Sequence, residues 1–264
     1  MTAKPMTAAA LFELTGQVAL VTGASSGLGL RFAEVLAAQG ADVALVARRA
    51  ERLKALQAQI GKTGGRAVVV AADVLDRKAM TRAFDETEAA FGCVTILVNN
   101  AGVAQRPVRA VELADDEWRR VIATNLDAVF LWAQEAARRM LAAGKRGSII
   151  NIASVLGFGA TKGTIAYAAA KTGVVALTKS LALELAFKGI RVNAIAPGWF
   201  VTEINREYLM SDAGTALKRE IPMGRFGEEG DLDGALLLLA SEAGRFMAGT
   251  TIVVDGGQIT ALRG

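Results

Sequence analysis

Tyr167, Lys171 and Ser154 are the residues of this 264-residue chain best suited by type and spacing to chemistry. Tyr167 and Lys171 stand four positions apart, about one helical turn, so a helix presents both on one face. A phenol titrates near ~10 and moves protons poorly at neutral pH. An ammonium held beside it favours the phenolate, by about 1.36 kcal/mol for each tenfold change in the ionisation equilibrium. A tyrosine tuned in this way passes a proton to or from a substrate oxygen. Ser154, thirteen positions before Tyr167, supplies a hydrogen bond to that same oxygen. The chain has no histidine and a single cysteine, Cys93. Ser-His-Asp and Cys-His nucleophilic machinery is therefore excluded, and so is the His-Glu-x-x-His zinc motif. Zinc rarely binds through carboxylates alone, so no metal site is expected. Proton chemistry falls to Tyr, Lys, Asp or Glu.

A second set of residues has the chemistry to bind an anion. Gly23-Ala24-Ser25-Ser26-Gly27-Leu28-Gly29 follows an apolar run and opens a helix-like segment. Glycines there allow a tight turn and close backbone approach to a pyrophosphate, whose charge is favoured by the helix N-terminus. Ribose reading is expected at the end of the second strand, where a carboxylate selects a 2′-hydroxyl and an arginine a 2′-phosphate. Arg48 and Arg49 stand there, with no carboxylate before Glu51. A guanidinium binds phosphate in a bidentate way, so NADP(H) is expected over NAD(H), with NAD(H) the alternative.

These residues need a frame, and the chain reads as alternating strands and helices. Strands are expected at Gln17–Thr22, Ala41–Ala47, Arg66–Ala71, Val94–Asn99, Gly147–Ala153, Arg191–Ala196 and Thr251–Asp255. Helices are expected at Leu28–Gln39, Arg49–Ile60, Asp76–Phe91, Asp115–Ala143 and Thr164–Lys188. Continuous apolar strand runs fit a parallel sheet covered on both faces, and the alternation implies a doubly wound α/β fold. With no Gly/Ser/Pro-rich linker and no repeat, residues 14–264 read as one domain behind a short N-terminal tail, residues 1–13. The stretch from Glu203 to Arg225 breaks the alternation, and an excursion of this length reads as a substrate lid, around 199–225.

Composition narrows the class further. The net charge is +4, with basic and acidic residues interspersed, and no aromatic-basic stripe suits a nucleic acid. No uncharged apolar run reaches the ~18 residues that a membrane span needs, and no secretory signal is read at the N-terminus. One cysteine is compatible with a reducing compartment, so a cytoplasmic location is expected.

In chain order, Thr22-Gly23-Ala-Ser-Ser-Gly27-Leu-Gly29, Asn99-Asn100-Ala101-Gly102, Asn125, Ser154, Tyr167-x-x-x-Lys171, Pro197-Gly198 and Asp255-Gly256-Gly257 resemble the classical short-chain dehydrogenases/reductases. The resemblance runs from about Leu14 to Gly257 and implies a Rossmann-type fold, a seven-stranded parallel sheet and a nicotinamide cofactor. It makes Tyr167 the general acid/base and Lys171 the residue that lowers its pKa and holds the nicotinamide ribose. Ser154 then orients the substrate oxygen, and Asn125 anchors a water-linked proton relay to the lysine. Asp73 and Val74 match the pair at the adenine, and Asn99, Ala101 and Gly102 the turn along the adenine ribose. Pro197, Gly198, Phe200 and Thr202 match the segment near the nicotinamide carboxamide. Ser26 departs from the pattern, since many NADP-preferring relatives carry a basic residue inside the glycine turn. Phe200 is bulkier than the aliphatic residue expected there. Trp118, Phe130 and Trp132 read as packing or subunit-contact residues, and Trp199 and Phe200 as either pocket lining or core.

The expected activity is an interconversion of a carbonyl and a secondary alcohol by hydride transfer. The alternatives are an NAD-dependent alcohol or sugar-alcohol dehydrogenase and a 3-oxoacyl-carrier-protein reductase, for which Lys145 and Lys188 could dock an acidic carrier. A non-catalytic cofactor-binding module is the remaining class. The resemblance also implies a homotetramer built through the long helices and the C-terminal strand region.

Overall fold

β-Branched and aliphatic runs with no polar face form strands only where both faces are covered, and seven such runs align here into one sheet. The computed structural model describes residues 7–203 and 205–260. The strands are β1 (Val18–Thr22), β2 (Asp42–Ala47), β3 (Ala67–Ala71), β4 (Ile96–Asn99), β5 (Gly147–Ile152), β6 (Ile190–Pro197) and β7 (Thr251–Val254). They pair in the order β3-β2-β1-β4-β5-β6-β7, every pair parallel. This is the doubly wound seven-stranded fold expected from the sequence. The order reverses between β1 and β4, which opens a crevice at the carboxyl ends of the strands, where such sheets bind ligands.

Alternate residues of each strand serve two different cores. Ala19 and Val21 of β1 join Val43, Leu45, Val98 and Ile150 against helices α2 (Gly27–Ala38), α3 (Ala50–Lys62) and α10 (Asp233–Ala240). Val18 and Leu20 face the other way, joining Val46, Leu97 and Ile149 under α4 (Arg77–Phe91) and α6 (Ala128–Ala142). Each fully buried Leu, Ile or Phe in these layers contributes about 1.5–3 kcal/mol of transfer free energy. Trp132 of α6 is a core residue, tilted against Phe84 at 5.7 Å between ring centroids. Trp118 and Phe130 are partly exposed.

Three departures from the sequence expectation stand out, two of them beside the site. The helix expected over Asp115–Ala143 is α5 (Asp115–Ile122) and α6 joined by a π-helical turn, Ala123–Asp127, with Asn125 at its centre. Its helical course is continuous, but one residue too many is wound into it. The excursion after β6 carries α8 (Arg206–Leu209) and α9 (Asp212–Arg219), the latter capped by Ser211. These two rest on a small core of their own, Leu209, Ile221 and Phe226 with Trp199, Val201 and Leu217. At the other end, residues 8–12 of the stretch read as a tail form the short helix α1 (Ala8–Phe12), capped by the Thr7 hydroxyl.

Candidate active site

The glycine turn is shaped by the segment that follows β4. The Thr22 hydroxyl accepts the Asn100 and Ala101 N–H groups at 3.0 and 3.1 Å, and Asn100 Nδ2 donates to Thr22 O at 2.9 Å. A Cβ on Gly23 would lie 2.8 Å from Asn100 Nδ2 and 2.9 Å from Ala101 Cα, and one on Gly29 would collide with Asn100 Nδ2 and Gly23 O. Both glycines are thus required by packing between the two turns. Gly27 begins α2 with a φ of +53°, and the hydroxyl of Ser26 at the N-cap makes no capping bond. The helix N-terminus is left to an outside anion, which fits a pyrophosphate.

Arg49 reaches this turn from the end of β2. Its Nε and Nη2 donate to Ser25 Oγ at 3.2 and 3.0 Å, and Nη2 donates to Ser26 Oγ at 2.6 Å. The position that lacks a basic side chain in the sequence is thus covered by a guanidinium brought in from another element. Arg48 and Arg49 are both exposed. One helical turn further, Arg52 makes a bidentate pair with Glu203, at 2.5 and 2.8 Å, so the excursion is tied to α3 beside the glycine turn. A cleft of about 320 Å³ lies between them, lined by Ser26, Gly27, Leu30, Arg52, Gln59 and Glu203 among others.

The remaining expected cofactor residues lie along the same strand ends. Asp73 and Val74 follow β3 and are half-buried; the Asp73 carboxylate accepts the Leu75 N–H at 3.0 Å, and Val74 O accepts from Trp132 Nε1 at 3.0 Å. The Asn99 side chain points inward, donating to Val129 O and Asn151 Oδ1. It ties β4 to α6 and β5, so only its main chain faces the crevice end of the strand. Ala101 and Gly102 continue the turn that packs on Gly23. Pro197 ends β6, and Gly198 abuts Asp255 so closely that a Cβ would lie 2.7 Å from Asp255 Cβ. Phe200 is a core side chain, 5% exposed and packed on Gly227. The choice between pocket and core is settled for it in favour of the core, and its bulk does not enter the crevice. Trp199 belongs to the small core under the excursion, 6.4 Å from the Tyr208 ring. Asn205 fastens the stretch by accepting from Thr202 N and Oγ1 and donating to Phe200 O.

Ser154, Tyr167 and Lys171 come together where β5 ends and α7 (Ile165–Leu185) begins. The Ser154 hydroxyl caps the short turn after β5 by accepting the Leu156 N–H, and it lies near enough to the Tyr167 phenol to favour its ionised form. Lys171 is 4% exposed, its Nζ 5.7 Å from the Tyr167 ring centroid and donating to Ile152 O at 2.7 Å. Asn125 is fully buried, and its amide is spent on one residue: Oδ1 accepts from Val103 N and Nδ2 donates to Val103 O, each at 2.8 Å. The pKa directions differ from the simple tyrosine–lysine expectation. Burial pushes the Tyr167 phenol above its ordinary value, and the nearby Ser154 hydroxyl only opposes this. Burial also pushes the Lys171 ammonium down, to about 8. Desolvation penalises both charged forms, so the spacing of the pair alone did not fix the sign.

The short chain dehydrogenase pattern matches residues 17–212. The chain is 42% identical over 246 residues to D-threitol dehydrogenase of Mycolicibacterium smegmatis, covering 93% of this chain and 94% of that one. It is 38% identical over 242 residues to 3-oxoacyl-acyl-carrier-protein reductase of Escherichia coli, covering 92% and 97%. Its fold matches a gluconate 5-dehydrogenase from Burkholderia cenocepacia solved with NADP and tartrate, at a TM-score of 0.91 and 39% identity over 97% of this chain and 100% of that one. With the strand order, the glycine turn and the Ser-Tyr-Lys cluster in place, the chain belongs to the short-chain dehydrogenase/reductase family and is an oxidoreductase acting on CH–OH groups.

Proposed function

We propose that the protein interconverts a ketone and a secondary alcohol with NADP(H), using Tyr167 as general acid/base, and that its substrates are polyols, sugar acids or the matching keto compounds. The observation that carries the reading is the cluster of Ser154 and Tyr167 with a buried Lys171, whose Nζ lies 5.7 Å from the centre of the phenol ring. A nicotinamide cofactor bound along the crevice supplies or takes up the hydride. Gly23, Ser25, Ser26, Gly27, Leu28 and Gly29 would hold its pyrophosphate, Asp73 and Val74 the adenine, and the main chain of Asn99, Ala101 and Gly102 the ribose beside it. Pro197, Gly198, Phe200 through its main chain, and Thr202 would hold the carboxamide end. In reduction Ser154 donates to the substrate oxygen and Tyr167 gives it the phenolic proton; in oxidation Tyr167 takes that proton back. A lysine poised near 8 exchanges protons readily at neutral pH, so Lys171 is suited to reprotonate the phenolate as well as to hold a ribose hydroxyl. The Asn125 side chain is committed to Val103, so any part in a relay to Lys171 falls to its main chain.

The NADP preference is supported by Arg49, which lies on both serines of the turn and presents a fork suited to a 2′-phosphate. The polyol and sugar-acid class is supported by the named activities of D-threitol dehydrogenase and gluconate 5-dehydrogenase. Residues 199–225 form the lid in this reading, within a single domain spanning residues 14–264. A cytoplasmic homotetramer goes with it; half-exposed Trp118, Phe130 and Leu141 on α5 and α6, with exposed Leu183 at the end of α7, supply apolar surface for subunit contact. Light scattering tests the assembly. Initial rates over a panel of polyols, sugar acids and 3-oxoacyl thioesters, with NADPH and NADH, test the rest. Rates confined to the thioesters would move the substrate to the carrier-bound class, and rates only with NADH would overturn the cofactor assignment.

A further inference from the structure

Gln105 lies outside every motif that carries the family resemblance, yet its side chain fixes where α7 begins. The N-cap of α7 is Thr164, which makes no side-chain capping bond. Its hydroxyl is spent instead on Thr161 O, at 3.1 Å, and on the Thr161 hydroxyl, at 3.0 Å. The first N–H groups of a helix have no partner inside it. Here they find one across 61 residues of sequence: Gln105 Oε1 accepts from Ala166 N at 2.9 Å and from Tyr167 N at 3.1 Å. Gln105 Nε2 donates to Gly163 O at 3.0 Å, holding the turn that leads into the helix, and the side chain is buried, with 6% of the residue exposed. Two positions earlier, Val103 gives both main-chain groups to Asn125. The short stretch from Val103 to Gln105 is therefore a strut between the π-helical turn and the first turn of α7.

We propose that Gln105 is a positioning residue for Tyr167. It touches no reacting atom; by holding the Tyr167 main chain it sets where the phenol stands relative to Ser154. The proposal rests on the assignment of Tyr167 as the acid/base. A displacement of about 1 Å in a reacting group costs as much as ~100-fold in rate, so a loosened first turn reads out in turnover.

The test compares full-length Gln105→Leu and Gln105→Glu, with Tyr167→Phe alongside. Both Gln105 variants lose the bond to Gly163, but only glutamate keeps an acceptor for the two N–H groups of α7. The expected result is a fall in kcat of about 30-fold in Gln105→Leu, with KM within about threefold, and recovery to within about fivefold of the parent in Gln105→Glu. NADPH affinity, read by fluorescence titration, stays unchanged in both. Where Gln105→Leu does not fold, Gln105→Asn takes its place, since one methylene fewer withdraws the acceptor while keeping the amide. Equal kcat in the acceptor-keeping and acceptor-lacking variants, or lower thermal stability at unchanged kcat per folded enzyme, overturns the proposal and leaves Tyr167→Phe inactive. Near-parental turnover in Tyr167→Phe removes the catalytic reading itself, and the positioning role falls with it.

Discussion

The two ends of the crevice are built in opposite ways. At the end holding Ser154, Tyr167 and Lys171, Ser154 and Lys171 are buried and Tyr167 is half-buried, and Lys171, Asn125 and Gln105 are each fixed by main-chain partners. At the end holding Arg48, Arg49 and the serines of the glycine turn, the charges are exposed and the partners are other side chains. Enclosure makes each group costly and sharply placed, because desolvation shifts titration and unmade bonds go uncompensated. Exposure makes each contact cheap, salt-sensitive and replaceable. Proton transfer needs the first kind of environment. The second suits the proposed selection between two cofactors that differ by one phosphate.

This contrast breaks most readily at Tyr167. Replacement by Phe is expected to lower kcat about 10³-fold while NADPH titration still gives a measurable affinity, the size usual for a lost general acid/base. A drop below tenfold would mean that the enclosed end does not carry the proton.

Lys171 sharpens the contrast through pH. Its folded pKa is lowered to about 8 from an ordinary 10.5, so below 8 the folded protein carries a buried ammonium at a cost that the unfolded chain avoids. The unfolded state binds more protons between these values, so stability rises as pH climbs through that window. Urea denaturation between pH 7 and 9.5 is expected to show a gain of about 2 kcal/mol over Lys171→Met, whose profile lacks this rise. Parallel profiles for the two proteins would show that burial at this end is not reflected in stability.

At the exposed end, Arg49→Asp is expected to reduce the ratio of kcat/KM with NADPH to that with NADH by at least about tenfold, the worth of one charge-assisted contact. Arg48→Asp has the smaller effect, since Arg49 alone bonds to the serines of the turn. The reverse ranking would reassign the phosphate fork. Smallest of all, Glu203→Gln breaks the exposed pair with Arg52, and KM should rise by about threefold at low salt, fading as salt is added. A salt-independent change in kcat would instead make that pair part of the catalytic geometry.

The sequence made the strands and both anchoring motifs legible because each is a local signal: unbroken apolar runs, glycines at fixed spacing, a tyrosine one turn before a lysine. What stayed hidden depends on contacts across the fold. α10 is nearly all leucine and alanine over eight residues, so it has no helical period to see. The π-helical turn at Asn125 is one surplus residue inside an otherwise regular helical pattern, invisible to a periodicity of 3.6. Asn99 has the type and place of a ligand residue, but its amide turns inward to Val129 and Asn151. Gln105 carries no capping signature, because the helix it caps begins 60 residues later and has its own threonine at the customary place. The direction in which the Tyr167 phenol moves was equally out of reach, since it is set by how deeply the side chain is enclosed.

The surplus residue at Ala123–Asp127 also works as a phase marker. Each residue of an α-helix advances about 100° around the axis. Wound as regular α-helix, the same residues would set α6 about that angle away from its present phase; the π turn takes up the surplus residue by widening instead. Without it, Val129, Ala133 and Met140, now buried, would take the directions of exposed Phe130, half-buried Gln134 and exposed Leu141. Deleting one residue from this turn is therefore expected to leave α6 in phase, whereas the same deletion inside α6 would rotate everything after it. A distant relative one residue shorter here would keep the same helix phase.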